Sequence, residues 1–134
     1  MSDLQRISSG VPWEDGFGYS RAVVAGPFVF VSGCTSILDG AIRYEGDPYQ
    51  QAKTALEIAE RALVEAGAAI TDVVQSRIYI VHARDAEAVG RAHSEVFDAA
   101  RPASTLVVVE GLIDPRLLVE IEVMAYLGGR GSGD

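Results

Sequence analysis

Two stretches near the C-terminus decide the fold: Arg101-Pro102-Ala103-Ser104-Thr105-Leu106-Val107-Val108-Val109, and Leu117-Leu118-Val119-Glu120-Ile121-Glu122-Val123-Met124-Ala125-Tyr126. Both read as strands, and a short turn is expected between them. The second alternates with the two-residue period of a pleated strand. Leu117, Val119, Ile121, Val123 and Ala125 share one face, whereas Leu118, Glu120, Glu122, Met124 and Tyr126 share the other. Two carboxylates on an otherwise apolar face require either water or a covering surface that pairs with them.

Outward from that strand, the chain supplies the material of one layered α/β domain. Val73 to His82 forms a long β-branched strand, with Val73, Gln75, Arg77, Tyr79 and Val81 on one face. Tyr19 to Ala25 and Phe28 to Ser32 read as a hairpin turned at Gly26-Pro27. Leu4 to Ser8 forms a short first strand, and Ile42 to Tyr44 a minor one. Asp47, Pro48 and Gln50 carry helix-start chemistry, with a cap, a proline at the first position and a capping-box partner. Ala52, Ala55, Leu56, Ala59, Ala62, Leu63 and Ala66 then recur at helical spacing until Gly67. A second helix is capped by Asp85 and runs to about Ala99, with Ala86, Val89, His93, Val96, Phe97 and Ala100 on its stripe.

The order is β-β-β-α-β-α-β-β. Two helices cover one face of such a sheet. The other face, with Gln75, Arg77, Tyr79, Glu120 and Glu122 among apolar residues, is expected to be covered by copies of the same chain. Residues 1–127 are read as one domain and 128–134, rich in glycine, as a disordered tail.

Composition narrows the function. The 134 residues carry a net charge of -8 with 11 basic residues, which opposes a polyanion binder, so no nucleic acid is expected as a partner. Cys34 is the single cysteine, which excludes an intrachain disulfide and a cysteine-rich zinc site. It reads more readily as a small buried hydrophobe than as a nucleophile. His82, at a strand end, reads as a surface residue, and His93 as a partly buried histidine hydrogen-bonded between helix and sheet; neither has carboxylates at ligand spacing, so no metal is expected. No apolar run approaches a membrane span and the N-terminus lacks signal-peptide character, so a cytoplasmic protein is expected, with no membrane partner. Ser9 to Gly18, with four residues of glycine or proline, reads as a loop. Its Trp13 and Phe17 either fold back over apolar surface or border a pocket.

An ordered set of short stretches resembles the RidA (YjgF) family, also called endoribonuclease L-PSP. These are Gly18-Tyr19-Ser20-Arg21-Ala22, Val29-Phe30-Val31-Ser32-Gly33, Gly46 through Ala52, Gly67-Ala68, Asp72-Val73-Val74, Phe97, Arg101-Pro102-Ala103 and Val119-Glu120-Ile121-Glu122. The resemblance implies a chorismate-mutase-like α/β fold and a homotrimer with small-molecule clefts between subunits. It also implies hydrolysis of reactive enamines and imines, released by pyridoxal-phosphate enzymes, to 2-keto acids and ammonia, without a cofactor of its own. Within it, Glu120 is expected to orient or activate water, and Tyr19, Ser32, Gly33, Ser104, Thr105 and Leu106 to line the ligand site. The family's substrate-carboxylate arginine corresponds to Ser104, its helix asparagine to Gly90, and a frequent glutamine to Cys34. A neutral hydroxyl cannot replace a bidentate arginine, so small imino acids are expected to be poor substrates, with a less anionic ligand in their place. Arg21, Arg77 or Arg101 of a neighbouring subunit remains open as a substitute. Two alternatives also stay open: Glu120 as a structural partner of Arg77, and a non-catalytic binding trimer that acts as a sensor. Ribonuclease activity, implied only by the older family name, is opposed by the acidic balance.

Overall fold

In the computed structural model, which describes residues 4–128, six strands form one sheet. They are β1 (Leu4–Ile7), β2 (Ala22–Ala25), β3 (Phe28–Cys34), β6 (Val73–Ile80), β7 (Ala103–Val108) and β8 (Val119–Tyr126), in the spatial order β1-β2-β3-β8-β6-β7. A small separate ribbon pairs β4 (Ile37–Leu38) with β5 (Ala41–Ile42). Only β6 and β7 are parallel, and the connection between them carries a helix, as a parallel crossover requires. This is the expected mixed α/β architecture with a chorismate-mutase-like fold.

The core lies between the sheet and two helices, α2 (Pro48–Glu65) and α3 (Ala86–Phe97). Every second residue of β8 enters it: Val119, Ile121 and Ala125 are fully buried, and Val123 nearly so. Helix α2 packs closely because its inner stripe is mostly alanine, with Ala52, Ala55, Ala59 and Ala62 buried around Leu56 and Leu63. The side chain of Asp47 accepts the Gln50 N–H at 3.0 Å, as expected of the cap. At the other end, the Gly67 N–H donates to Val64 O and the Ala68 N–H to Leu63 O, with Gly67 at φ 90°. That bond pair is a Schellman ending, so Gly67 follows the cap residue Ala66 rather than being it.

Several expectations are corrected. Strands β7 and β8 are not a hairpin: residues 109–118 carry the chain past β6, which lies between them. All six residues of β7 are exposed on the sheet edge. Residues 9–18 contain a short helix, α1 (Pro12–Phe17), which starts on Pro12 and ends at Gly18 in the left-handed region. Strand β2 begins at Ala22 rather than Tyr19, and β6 ends at Ile80 rather than His82, which is half-buried. A register shift between Val73 and Gln75 turns Val73 into the core with Ser76, Ile78 and Ile80, whereas a strict two-residue period puts it on the opposite face. Asp85 ends a short 3-10 turn and makes no side-chain cap to α3. The expected tail falls mostly on residues 129–134, outside the described residues.

Gln51 carries the clearest mismatch of polarity with position. It lies off the alanine and leucine stripe of α2, yet it is fully buried. Its amide nitrogen donates to Arg116 O at 3.0 Å and Tyr44 O at 3.2 Å, and its oxygen accepts the Leu118 N–H at 2.8 Å. It therefore satisfies backbone groups of two loops that no ladder reaches. Substitution Gln51→Leu keeps the volume and strands those groups, so it is expected to destabilise the fold by about 3 kcal/mol. Urea denaturation checks this through a lowered midpoint at unchanged slope.

Candidate functional site

The site starts at a fault in the sheet. Between β3 and β8 the register slips from Val31↔Val123 to Cys34↔Ile121, so Ser32 and Gly33 lie in a bulge. Arg21, at the entry to β2 and almost fully buried, fills the fault. Its Nη1 lies 2.7 Å from Gly33 O, 3.0 Å from Ser32 Oγ and 3.3 Å from Ser32 O, with Cys34 Sγ at 3.6 Å. The guanidinium thus supplies donors to carbonyls that the slipped ladder leaves unpaired.

Gly33 does a second job. A Cβ on it would sit 1.9 Å from Glu120 Oε2 and 2.8 Å from the Glu120 carboxyl carbon. The Glu120 side chain, half-buried on β8, therefore lies in the space a side chain at position 33 would fill. Among the described residues it has no hydrogen-bond or ion-pair partner. Burial pushes its pKa above the usual glutamate value, the nearby Glu122 pushes the same way, and Arg21 partly offsets both. Glu122 itself is engaged: Tyr79 Oη donates to it at 2.7 Å and Arg77 Nη1 stands 3.8 Å away. Arg77 thus belongs to Glu122 rather than Glu120, which removes the structural role that the sequence left open for Glu120 within one chain.

Arg21 is held from behind by Glu14 of α1, whose Oε2 lies 4.0 Å from Arg21 Nε. Burial alone pushes the Glu14 pKa up. Hydrogen bonds from the Ser9 hydroxyl and N–H and from the Ser8 hydroxyl outweigh that, with Arg21 adding to them, and hold it below the usual range. Glu14 is the positioning residue that sequence reasoning missed; its signal was an acid at the third position of a helix begun by Pro12.

A cleft of about 640 Å³ opens over these groups. Its floor is Ser32, Gly33, Cys34 and Glu120, and its walls include Tyr19, Arg21, Thr35, Ile37, Ile58 and Ile113. Trp13 and Phe17 stand at the rim, 47% and 69% exposed, with ring centroids 5.2 Å apart edge to face. They cover no core, so they border the pocket. Tyr19 is stacked 5.7 Å from the Arg21 guanidinium. Burial pushes the Cys34 thiol up to about 11, so it is a protonated, packed side chain at neutral pH.

The structure thus brings together Tyr19, Ser32, Gly33 and Glu120. It does not bring Ser104, Thr105 and Leu106 to them within one chain. These lie on edge strand β7, two strands from β8. Ser104 Oγ accepts from Ser76 Oγ at 2.8 Å, which is itself 2.8 Å from His93 Nε2. His93 is therefore the hydrogen-bonded histidine between helix and sheet that its stripe position suggested, and burial lowers its pKa. Among the described residues, no group of histidine, cysteine or acidic side chains is arranged to hold a metal, and no helix is long and apolar enough to cross a membrane.

Comparison with known proteins identifies the family of the chain. The family model for Endoribonuclease L-PSP matches residues 15–127. An uncharacterized protein of Streptomyces coelicolor is 49% identical over 129 residues, covering 96% of each chain. A RutC family protein of Pyrococcus abyssi is 36% identical over 81% of this chain and 85% of its own. The crystal structure of Rv2704 from Mycobacterium tuberculosis, a member of the YjgF/YER057c/UK114 family, superimposes with a TM-score of 0.84 at 42% identity, covering 92% of this chain and 98% of that one.

The raised Glu120 pKa has a stability consequence of definite sign. The ionised form is disfavoured by the fold, so Glu120 contributes most below its unfolded pKa and that contribution is lost as pH rises through the raised folded value. Relative to Glu120→Gln, the wild type should therefore be least stable near neutrality and gain as pH falls. Carboxyl NMR titration should place the Glu120 midpoint above 4.5, and paired urea melts of the two proteins should diverge in that direction.

Proposed function

Since this chain belongs to the RidA (YjgF, endoribonuclease L-PSP) family, we propose that its cleft hydrolyses an imine or enamine and releases ammonia. The observation that carries this reading is Glu120: an unpaired carboxylate, raised in pKa, seated against a glycine in the floor of a half-enclosed cleft. A carboxylate in that state suits a general base. It accepts a proton from water as the oxygen attacks the C=N carbon and the π electrons move to nitrogen. The carbinolamine then collapses: its hydroxyl proton is lost, C=O forms, and nitrogen leaves with the protons as ammonia. An enamine enters the same path once protonated on carbon. Tyr19 and the Ser32–Gly33 backbone border the reacting group, and Cys34 takes no part as a nucleophile.

The assembly proposed is a homotrimer. Opposite the helices the sheet leaves Phe28, Phe30 and Tyr126 exposed by 38%, 46% and 42%, in mutual contact at centroid distances of 5.3 and 6.3 Å. Leu106, Val107 and Val108 extend apolar surface along edge strand β7. A contiguous apolar face of this kind calls for a partner, and an exposed edge strand equally calls for cover. A neighbouring copy would bring Ser104, Thr105 and Leu106 to the cleft that one chain leaves open.

One observation favours a second reading, a non-catalytic binding trimer. Ser104, which the resemblance aligns with the family's carboxylate-binding arginine, has its hydroxyl already hydrogen-bonded to Ser76. A panel of imines generated in situ, with ammonia as readout, separates the two. The expected result is accelerated hydrolysis of at least one imine by wild type and a loss of about 100-fold or more in Glu120→Gln. Wild type inert on the whole panel overturns the hydrolase and leaves the binding protein. Light scattering at micromolar concentration should give the mass of three chains; a monomer mass overturns the assembly.

A further inference from the structure

Resting on the imine-hydrolase reading of this cleft, we propose that its ligand is an aromatic, carboxylate-free imine that binds as the iminium cation, held between the Trp13–Phe17 rim and Glu120. Charge and shape lead to this class independently.

The charged residues lining the cleft are Arg21, Asp39, Arg61, Glu65 and Glu120, so acids outnumber bases by three to two. Arg21 has most of its guanidinium committed within the chain, which leaves only Nη2 without a partner in the described residues. Its Nη1 is committed to the Ser32 and Gly33 oxygens, and its Nε faces Glu14 at 4.0 Å. Arg61 shares its stretch of the α2 surface with Glu57, Glu60 and Glu65. Glu120, by contrast, has no partner among the described residues. A ligand carboxylate brought here would meet an unpaired acid, whereas a cation would pair with it. Pairing also keeps the carboxylate ionised for the proton it must accept.

Within one chain, before a neighbouring copy closes it, the cleft holds about 640 Å³, more than a three-carbon imino acid needs. Its rim presents two aromatic rings set edge to face and largely exposed, on a helix that Glu14 fixes to the strand below. Exposed aromatic faces attract both a second ring and a cation. An iminium conjugated to an aryl group offers both, with its nitrogen end towards Glu120. Such a compound is the product of a two-electron oxidation of a primary arylalkylamine, so the class of reaction that must supply it is amine oxidation. Water then converts it to the aryl aldehyde and ammonia, with no further electron transfer.

The chain contains its own reporter, since Trp13 is the single tryptophan and stands at the rim. Fluorescence titration of the full protein with benzylamine, benzyl alcohol and benzoate tests the class without turnover. Benzylamine should perturb Trp13 saturably and bind at least tenfold tighter than benzoate. Glu120→Gln should remove at least fivefold of the benzylamine affinity and leave benzyl alcohol within twofold. Phe17→Ala, at an exposed position that the fold does not need, should weaken both amine and alcohol by threefold or more. Tighter binding of benzoate, or no saturable response to any of the three, overturns the proposal. Benzylamine binding as described while no imine is hydrolysed would overturn the hydrolase reading and leave this ligand class standing.

Discussion

The structure around the cleft depends on one close approach, the Glu120 carboxylate lying where Gly33 has no side chain. That approach is possible because the β3–β8 ladder slips between Val31 and Cys34. A slip costs backbone hydrogen bonds, and unpaired buried carbonyls are expensive. Arg21 offsets the cost by turning one nitrogen onto both bulge carbonyls. A buried arginine in turn needs a counter-charge, and Glu14 supplies it from α1. Ser8 and Ser9 then complete the hydrogen bonding of Glu14. The chain of causes runs from a glycine through a bulge and two ionised side chains to a short helix, and the last link places Trp13 and Phe17 at the rim.

The same chain explains why the cleft has two electrostatic halves. Arg21 and Glu14 compensate one another behind the floor. Glu120, in front, has no hydrogen-bond or ion-pair partner among the described residues; burial and then Glu122 raise its pKa, and Arg21 only partly offsets them. Its neighbour Glu122 shows the alternative: one position along the same face of β8, a tyrosine hydroxyl and an arginine satisfy it. Two carboxylates of one strand thus differ in role through their neighbours alone.

Much of the fold was legible because local signals agreed with long-range packing. The alternation of β8 is a consequence of one buried face, and Val119, Ile121 and Ala125 are all at 0% exposure. The start and end of α2 follow from capping chemistry that acts within a few residues. What escaped had non-local causes. The β7 and β8 runs are adjacent in sequence and read as a hairpin, but pairing with β6 wins for both. The bulge at Val73–Gln75 defeats a strict two-residue period. Gln51 is buried for backbone groups 65 and 67 residues away, which no helical pattern can announce. Of the candidate site, Glu120 stood out as one of two carboxylates on an apolar strand face and Gly33 came with the resemblance, but their close approach is visible only in the structure. Ser104, Thr105 and Leu106 came from resemblance, and within one chain they stand apart from the cleft. Glu14 left only the local signal of an acid in the first turn after Pro12, and the committed state of Arg21 left none, because ion pairing across a turn has no periodic trace.

The central claim is that the vacancy at Gly33 exists to seat a working Glu120 carboxylate. The most direct measurement is the imine hydrolysis rate of Gly33→Ala. The three atoms nearest a new methyl group at Gly33 all belong to the flexible Glu120 side chain, so the sheet should survive and the carboxylate should swing away. The account predicts a folded protein with a rate reduced at least tenfold. A folded Gly33→Ala protein with the wild-type rate would contradict it.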